Sequence, residues 1–182
     1  MQDAKKDATI GYLTVVDDDR NGWTGGLLVL DDAGRPIEFQ CTLPVRPART
    51  HEILFGPTLK EHVIGQVIGT ALLKQCRTPL TILCVDQPEA LTIESFTDSP
   101  VALVREAAEF DEGPISNDML NGIEPVEVAG ATLFVPIEKV ELISHLGKSF
   151  EDLPDAVEPF ERIREAIKEA HSQLARQRPE AA

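Results

Sequence analysis

The first fifty residues alternate short apolar blocks with acidic and glycine-containing turns, a pattern typical of antiparallel strands. Three blocks predict strands, over residues 9–16, 26–30 and 37–43. The connections between them are short and rich in Asp, Asn and Gly, which tolerate the backbone conformations of a tight reversal. We therefore expect a three-stranded antiparallel meander.

The clearest helical pattern follows Gly56-Pro57, where apolar side chains recur every three or four residues up to Leu72. Thr58 and Glu61 have the spacing of a capping box, in which each side chain satisfies a backbone donor at the helix start. Gly65 and Gly69 lie one turn apart on this helix, so they allow another backbone to approach closely. Packing on the sheet and an interface with another chain are both compatible with that pair.

The second half of the chain predicts one more buried strand, a hairpin and a helix. Residues 80–85 form an unbroken apolar run that ends in Asp86, as in a central strand buried on both faces. We also expect, in chain order, a strand at 100–104, a long acidic surface loop at 106–124, a hairpin of 126–128 with 132–137, and an amphipathic helix at 159–177.

These elements define a mixed α/β fold: a three-stranded antiparallel meander, a long helix, a buried central strand, a late hairpin and a C-terminal amphipathic helix. We expect a disordered N-terminus at residues 1–8, a single domain at 9–177 and a flexible tail at 178–182.

The charge balance limits the partners of the protein. Its 182 residues include 31 acidic and 17 basic side chains, for a formal net charge of −14. Such a surface repels phosphate backbones, so unaided nucleic-acid binding and anionic-membrane binding are disfavoured. Three cysteines without a Cys-x-x-Cys pair suit a reducing compartment, and no apolar stretch is long enough to span a membrane. We expect a soluble, cytoplasmic protein.

Motifs of several large enzyme groups are absent from the sequence, including Gly-x-Ser-x-Gly, the phosphate-binding P-loop and Gly-x-Gly-x-x-Gly. A basic cluster of Arg46, Arg49 and His51 precedes the long helix and is a candidate anion-binding site, because guanidinium groups and helix starts both favour anions. Pairing of these arginines with neighbouring acidic residues is the competing interpretation.

Asp17, Asp19 and Asn21, followed by a glycine, match the first half of a calcium-binding loop. The glutamate that closes such a loop is absent, and the motif lies between strands instead of helices. A plain acidic hairpin turn is therefore the alternative to a metal site formed by these three residues.

Two resemblances to known families follow from these patterns. Residues 25–59, with Gly-Arg-Pro-Ile-Glu-Phe-Gln-Cys-Thr and Glu-Ile-Leu-Phe-Gly-Pro-Thr-Leu, resemble conserved bacterial proteins of unknown function, which implies no activity. Over residues 9–105, three antiparallel strands, a helix and a buried strand ending in Asp resemble the ribonuclease H-like arrangement. In that superfamily, carboxylates from the first strand, the first helix and the fourth strand hold two divalent metals.

The second resemblance implies a specific set of carboxylates. Asp17 or Asp18 matches the first-strand position, Asp86 the fourth-strand position, and Glu52 or Glu61 the helix position. The sequence favours a non-catalytic interaction or accessory module without a cofactor, which binds a protein partner or self-associates. The alternative is a phosphodiesterase that uses Mg²⁺ or Mn²⁺ with Asp18, Glu52 and Asp86.

Overall fold

The computed structural model describes residues 8–105 and 122–177, and in these ranges seven strands form one mixed sheet. The strands are β1 (Thr9–Asp18), β2 (Gly22–Asp31), β3 (Pro36–Cys41), β4 (Ile82–Val85), β5 (Val101–Arg105), β6 (Ile123–Val128) and β7 (Ala131–Pro136). They lie side by side in the order β3-β2-β1-β4-β5-β7-β6. The predictions for residues 1–7, for most of the acidic loop (106–121) and for the tail at 178–182 lie outside the described residues.

The sheet confirms the mixed α/β fold. β1, β2 and β3 are the antiparallel meander, and β4 runs parallel to β1 with all four of its residues buried. β5 runs parallel to β4, and the late hairpin of β6 and β7 joins β5 in antiparallel pairing. β4 therefore ends beside Leu13, in the middle of β1.

In the described ranges, four helices accompany the sheet. α1 (Arg49–Phe55) is short, and α2 runs without a break over residues 59–75 with a π-helical centre at His62–Gly69. α3 (Val140–Gly147) follows the hairpin, and α4 (Glu158–Gln177) is the predicted terminal helix. α1, α3 and the 3₁₀ segment Pro88–Phe96 were not predicted from the sequence.

The predicted capping box at the start of α2 is wrong. Thr58 has helical dihedral angles and no capping hydrogen bond, and its hydroxyl donates instead to the carbonyl of Phe55. Helical turns continue from α1 through the 3₁₀ segment Gly56–Thr58, so α2 has no free first turn that needs a cap.

Two apolar layers hold the helices on opposite faces of the sheet. α3 and α4 cover one face, where Tyr12 of β1 meets Phe160 of α4 edge to face at 5.2 Å between ring centroids. α2 and the segment Pro88–Phe96 cover the other face, with Ile64, Ile68 and Leu72 fully buried. The result is a three-layer α/β/α arrangement.

The two helical layers approach the sheet most closely at consecutive glycines of β2. A Cβ at Gly25 would lie 2.1 Å from Ile68 Cγ2 of α2, and a Cβ at Gly26 would lie 2.3 Å from Ile163 Cγ2 of α4. Successive strand residues face opposite sides of a sheet, so each glycine admits one helix. The height of α4 above the sheet is thus set at Gly26.

Gly65 and Gly69 of α2 also allow close packing, but against an element that is neither the sheet nor another chain. Cβ atoms at Gly65 and Gly69 would overlap Thr92 and Ile93, which belong to the 3₁₀ segment of the same chain. Within the described residues, α2 therefore uses this pair to pack on the 3₁₀ segment instead of on the sheet.

The edge strand β3 is tied to the connector between α2 and β4 by the carboxylate of Glu38. This carboxylate accepts hydrogen bonds from the backbone amides of Arg77 and Thr78, at 3.0 and 2.9 Å, and from the Thr78 hydroxyl at 2.6 Å. The side-chain amide of Gln40 donates to it at 2.8 Å. The Thr78 hydroxyl above all, with the other donors, lowers the pKa of Glu38 to about 2.

We expect Gly26→Ala to destabilise the protein by about 1–3 kcal/mol, because the new methyl group overlaps Ile163 in a packed layer. The cost should shrink in an Ile163→Ala background and stay unchanged in an Ile68→Ala background, since Ile68 lies on the other face. Urea unfolding of the single and double variants measures both couplings. Equal couplings to Ile163 and Ile68 would contradict the packing described.

Glu38 should make stability depend on acid pH. Its folded pKa lies below the ordinary value of 4.5, so its stabilisation is present above that value and is lost as the pH falls toward about 2. We expect Glu38→Gln to lower the melting temperature by several degrees at pH 7, with a difference that narrows between pH 5 and about 2. Thermal unfolding across this range, with exposed Glu151→Gln as the control, checks it. A difference independent of pH would contradict this role.

Candidate site at the carboxyl ends of strands β1 and β4

The carboxyl end of β4 lies beside Thr14, which is in the middle of β1. The parallel register pairs Leu13 with Val85, which places Thr14 and Asp86 next in line. The Thr14 hydroxyl donates a hydrogen bond to Asp86 Oδ2 at 3.1 Å. The strand-end carboxylate is thus bound first by a neutral hydroxyl of the neighbouring strand.

Arg164 of α4 forms an ion pair with the same oxygen of Asp86. The Asp86 side chain is only 14% exposed, and the guanidinium of Arg164 also pairs with Glu161 one turn earlier on the helix. The guanidinium of Arg164 balances the charge of this largely buried carboxylate through Oδ2. The arrangement therefore holds α4 onto the sheet at this edge.

Gln87 closes the adjacent part of the strand end. Its side-chain amide donates to the Val15 carbonyl at 3.0 Å, and its side-chain oxygen accepts from the Val15 amide at 2.9 Å. These two bonds continue the β1–β4 ladder beyond the last paired residues. A cavity of about 280 Å³ remains between these strand ends and α4, lined by Thr14, Asp86 and Arg164.

The other carboxylates implied by the ribonuclease H-like resemblance lie elsewhere. Asp18 is four residues beyond Thr14 on the same strand, or about 13 Å at 3.3 Å per residue. Its Oδ1 accepts from the backbone amides of Arg20 and Asn21 in the hairpin turn, at 2.7 and 2.9 Å, and these bonds lower its pKa. Asp17 is exposed, and its strand position faces away from Thr14.

The two helix candidates belong to the opposite layer. Glu52 lies on α1, exposed and paired with Arg49 at 2.7 Å, and Glu61 lies in the first turn of α2. α1 packs against the start of α2, which covers the face of the sheet away from α4. The structure therefore does not bring Glu52 or Glu61 together with Asp86.

The described residues do not form a two-metal centre at this site. Across residues 8–105 and 122–177, no group of three His, Cys, Asp or Glu side chains is placed to hold a metal ion. Two-metal hydrolysis needs several carboxylates around ions about 4 Å apart, whereas here Asp86 faces a hydroxyl and a guanidinium. Asp17, Asp19 and Asn21 likewise form no cage, because the turn is organised by Asp18.

The candidate anion cluster is divided by the fold. Arg46 stays in the connector after β3, where its Nε donates to the carbonyl of Asn21 at 3.4 Å. Arg49 is engaged by Glu52 on α1, and His51 lies against Phe55 at 6.2 Å between ring centroids. Arg49 and His51 lie on α1, a helix that was not predicted, whereas Arg46 precedes it.

Sequence reasoning identified Asp86 and missed its partners. Thr14 carries no charge signal, and Arg164 is one of several arginines on a charged helix 78 residues away. The register of β1 beside β4 was the missing information, because it decides which residue of β1 faces Asp86.

No helix of the described residues is long and apolar enough to cross a membrane.

The seven described strands belong to a mixed α/β fold. The first five of them have the element order of the ribonuclease H-like arrangement. No family model and no curated protein matches the sequence, so the resemblance to conserved bacterial proteins gains no support. Among solved structures, the chain is similar to a variant of endonuclease V from Ciona intestinalis in complex with inosine-containing DNA. That match has a TM-score of 0.49 and 10% identity, over 92% of this chain and 88% of the other. It is also similar to human ENDOV, with a TM-score of 0.41 and 13% identity over 92% and 87% of the two chains.

We expect Arg164→Gln to destabilise the protein by about 1–3 kcal/mol, because it removes the guanidinium that pairs with the largely buried Asp86 carboxylate. Asp86→Asn should cost less in the Arg164→Gln background than in the wild type, since the two side chains share one interaction. Chemical denaturation of the four proteins gives the coupling. Arg162→Gln, which loses an exposed pair with Glu158, is the matched control and should couple to Asp86→Asn by less than about 0.5 kcal/mol. Independent effects of Asp86 and Arg164 would contradict the pairing.

Proposed function

We propose that this protein is a non-catalytic interaction module with a ribonuclease H-like arrangement of elements. The observation that carries the proposal is the Asp86 carboxylate, held by Thr14 and Arg164 where a two-metal nuclease needs a second carboxylate and a cation. A guanidinium in this place supplies charge balance without any Lewis acidity or activated water. The described residues at the strand ends therefore favour cohesion of sheet and helix over hydrolysis.

The terminal helix is an unsuitable docking arm, because its apolar stripe is already in use. Phe160, Ile163 and Ile167 of α4 are buried against the sheet. The first half of α4 is therefore folded back on its own sheet.

α1 offers a better contact surface. None of its seven residues is buried, and its adjacent apolar side chains Ile53 and Leu54 are 67% and 75% exposed. Exposed neighbouring apolar side chains of this size are characteristic of interaction sites. With a net charge of −14, the protein attracts a positively charged partner by long-range electrostatics. We therefore propose a protein partner that presents an apolar contact with basic surroundings.

The interaction surface is tested with Leu54→Asp, which introduces a charge into the proposed contact without entering the core. A partner captured by the wild type and then purified should lose about tenfold or more in affinity for this variant. Ile137→Asp is the matched control, because Ile137 is also more than half exposed but lies after the hairpin. Equal binding of the partner to all three proteins would overturn the assignment of α1. The melting temperatures of the variants show whether a loss of binding results from unfolding.

A metal-dependent phosphodiesterase is the second candidate, and one observation favours it. Asp86 follows β4 directly, and β4 lies parallel to β1, as the ribonuclease H-like resemblance implies for the fourth-strand carboxylate. In this candidate Mg²⁺ or Mn²⁺ would bind with Asp86 after Arg164 is displaced.

Millimolar Mg²⁺ or Mn²⁺ separates the two candidates. The non-catalytic module should show no change in melting temperature that depends on Asp86, and no cleavage of single-stranded, double-stranded or inosine-containing nucleic acids. Asp86→Asn serves as the control for each readout, with Glu151→Gln as a charge-matched variant of an exposed position. Metal-dependent cleavage that Asp86→Asn abolishes and Glu151→Gln retains would replace the proposed function by the second candidate.

A further inference from the structure

A cavity of about 600 Å³ lies between the β1–β2 hairpin, the connector after β3 and the last turns of α4. Each of these three segments contributes one basic side chain to its wall: Arg20, Arg46 and His171. The rest of the wall includes apolar side chains of Leu43 and Leu174, and none of the described residues that line it is Asp or Glu. Its volume is within the range of small-molecule sites.

The connector is held against the hairpin by its backbone. Val45 and Trp23 exchange two backbone hydrogen bonds, at 2.9 and 2.8 Å. Gly22 has a positive φ of 93°, and a Cβ there would lie 2.7 Å from the Val45 carbonyl and 2.8 Å from Arg46 Cγ. The stem of Arg46 is therefore fixed beside the turn that carries Arg20.

His171 is held from the sheet side. Its Nε2 lies 2.9 Å from the hydroxyl of Thr24, a residue that is 1% exposed. This hydrogen bond occupies one ring nitrogen, and the carboxylate of Asp18 in the hairpin interacts electrostatically with the imidazole. His171 is thus positioned by a buried group, unlike a histidine on a free helix surface.

The two arginines have hydrogen-bonding capacity to spare. In the described parts of the chain neither Arg20 nor Arg46 is in an ion pair, although the protein is strongly acidic. Arg46 uses only Nε, at 3.4 Å to the Asn21 carbonyl, so its two terminal nitrogens are not engaged there. Guanidinium groups match phosphate oxygens with paired donors.

We propose that this cavity binds a small phosphate-bearing molecule, with the phosphate between Arg20, Arg46 and His171 and an apolar or aromatic part against Leu43 and Leu174. A small ligand is favoured over a polymer, because the net charge of −14 opposes the approach of a polyanion such as a nucleic acid. A single phosphate group needs only the local cations. The site is independent of the strand-end site at Asp86 and of the surface on α1.

The probes are pyrophosphate, a nucleoside monophosphate and a short oligonucleotide of the same nucleotide, with binding measured by calorimetry and by amide chemical shifts. We expect the mononucleotide to bind in the micromolar-to-millimolar range and to shift the amides around Asn21 and Ala175. Arg20→Gln and Arg46→Gln should each weaken binding about tenfold or more. Arg49→Gln should leave it unchanged, because Arg49 is paired with Glu52 on α1.

Three results would overturn the proposal: no binding of pyrophosphate or mononucleotide at millimolar concentration, equal weakening in the Arg49→Gln control, or binding that both cavity variants retain. An oligonucleotide that binds more than about tenfold tighter than the mononucleotide, with a steep salt dependence, would overturn the commitment to a small ligand. Melting temperatures of all variants show whether each one is folded. His171→Asn is a further variant of the cavity wall that leaves both arginines in place.

Discussion

The close contact of Ile163 with Gly26 is the constraint on which both candidate sites depend. It sets the distance between α4 and the sheet, because any side chain at Gly26 would hold the helix farther away. Arg164, the next residue, then reaches Asp86, and His171, about two turns later, reaches Thr24. One packing contact thus positions a compensating cation at the strand ends and a basic side chain in the wall of the larger cavity.

Charge compensation explains the chemical difference between these two places. At the strand ends an acidic side chain and a guanidinium satisfy each other, so the local charge is balanced inside the fold. In the cavity by the hairpin, three basic side chains line one wall, and no acidic residue is among the described residues of that wall. In this strongly acidic protein, the ion pair with Arg164 therefore reduces the capacity of Asp86 to bind a cation. Arg20 and Arg46 provide a capacity to bind an anion.

The sequence predicted the elements more successfully than the site. Apolar blocks with turn residues between them were sufficient for the meander, for β4 and for the hairpin, because each strand depends on local pattern and burial. α1 was missed because its residues, with exposed Ile53 and Leu54, show no buried stripe. The capping box failed because helical turns upstream of Thr58 remove the free helix end that such a motif serves.

Residues in the sites were harder to predict, because their partners are far apart in the chain. Asp86 was found from its place at the end of an apolar run, but Thr14 and Arg164 become its neighbours only through strand register and helix packing. Arg46 was proposed as an anion ligand together with Arg49 and His51, whereas the fold places it with Arg20 and His171.

The most direct measurement is a crystal structure of the protein grown or soaked with Mn²⁺, with anomalous difference maps to locate the metal. We expect Asp86 to keep its contacts with Thr14 and Arg164, with no anomalous peak within about 2.5 Å of either of its carboxylate oxygens. A manganese ion bound to Asp86, with the Arg164 side chain displaced, would contradict the account and restore the metal-dependent interpretation of the strand ends.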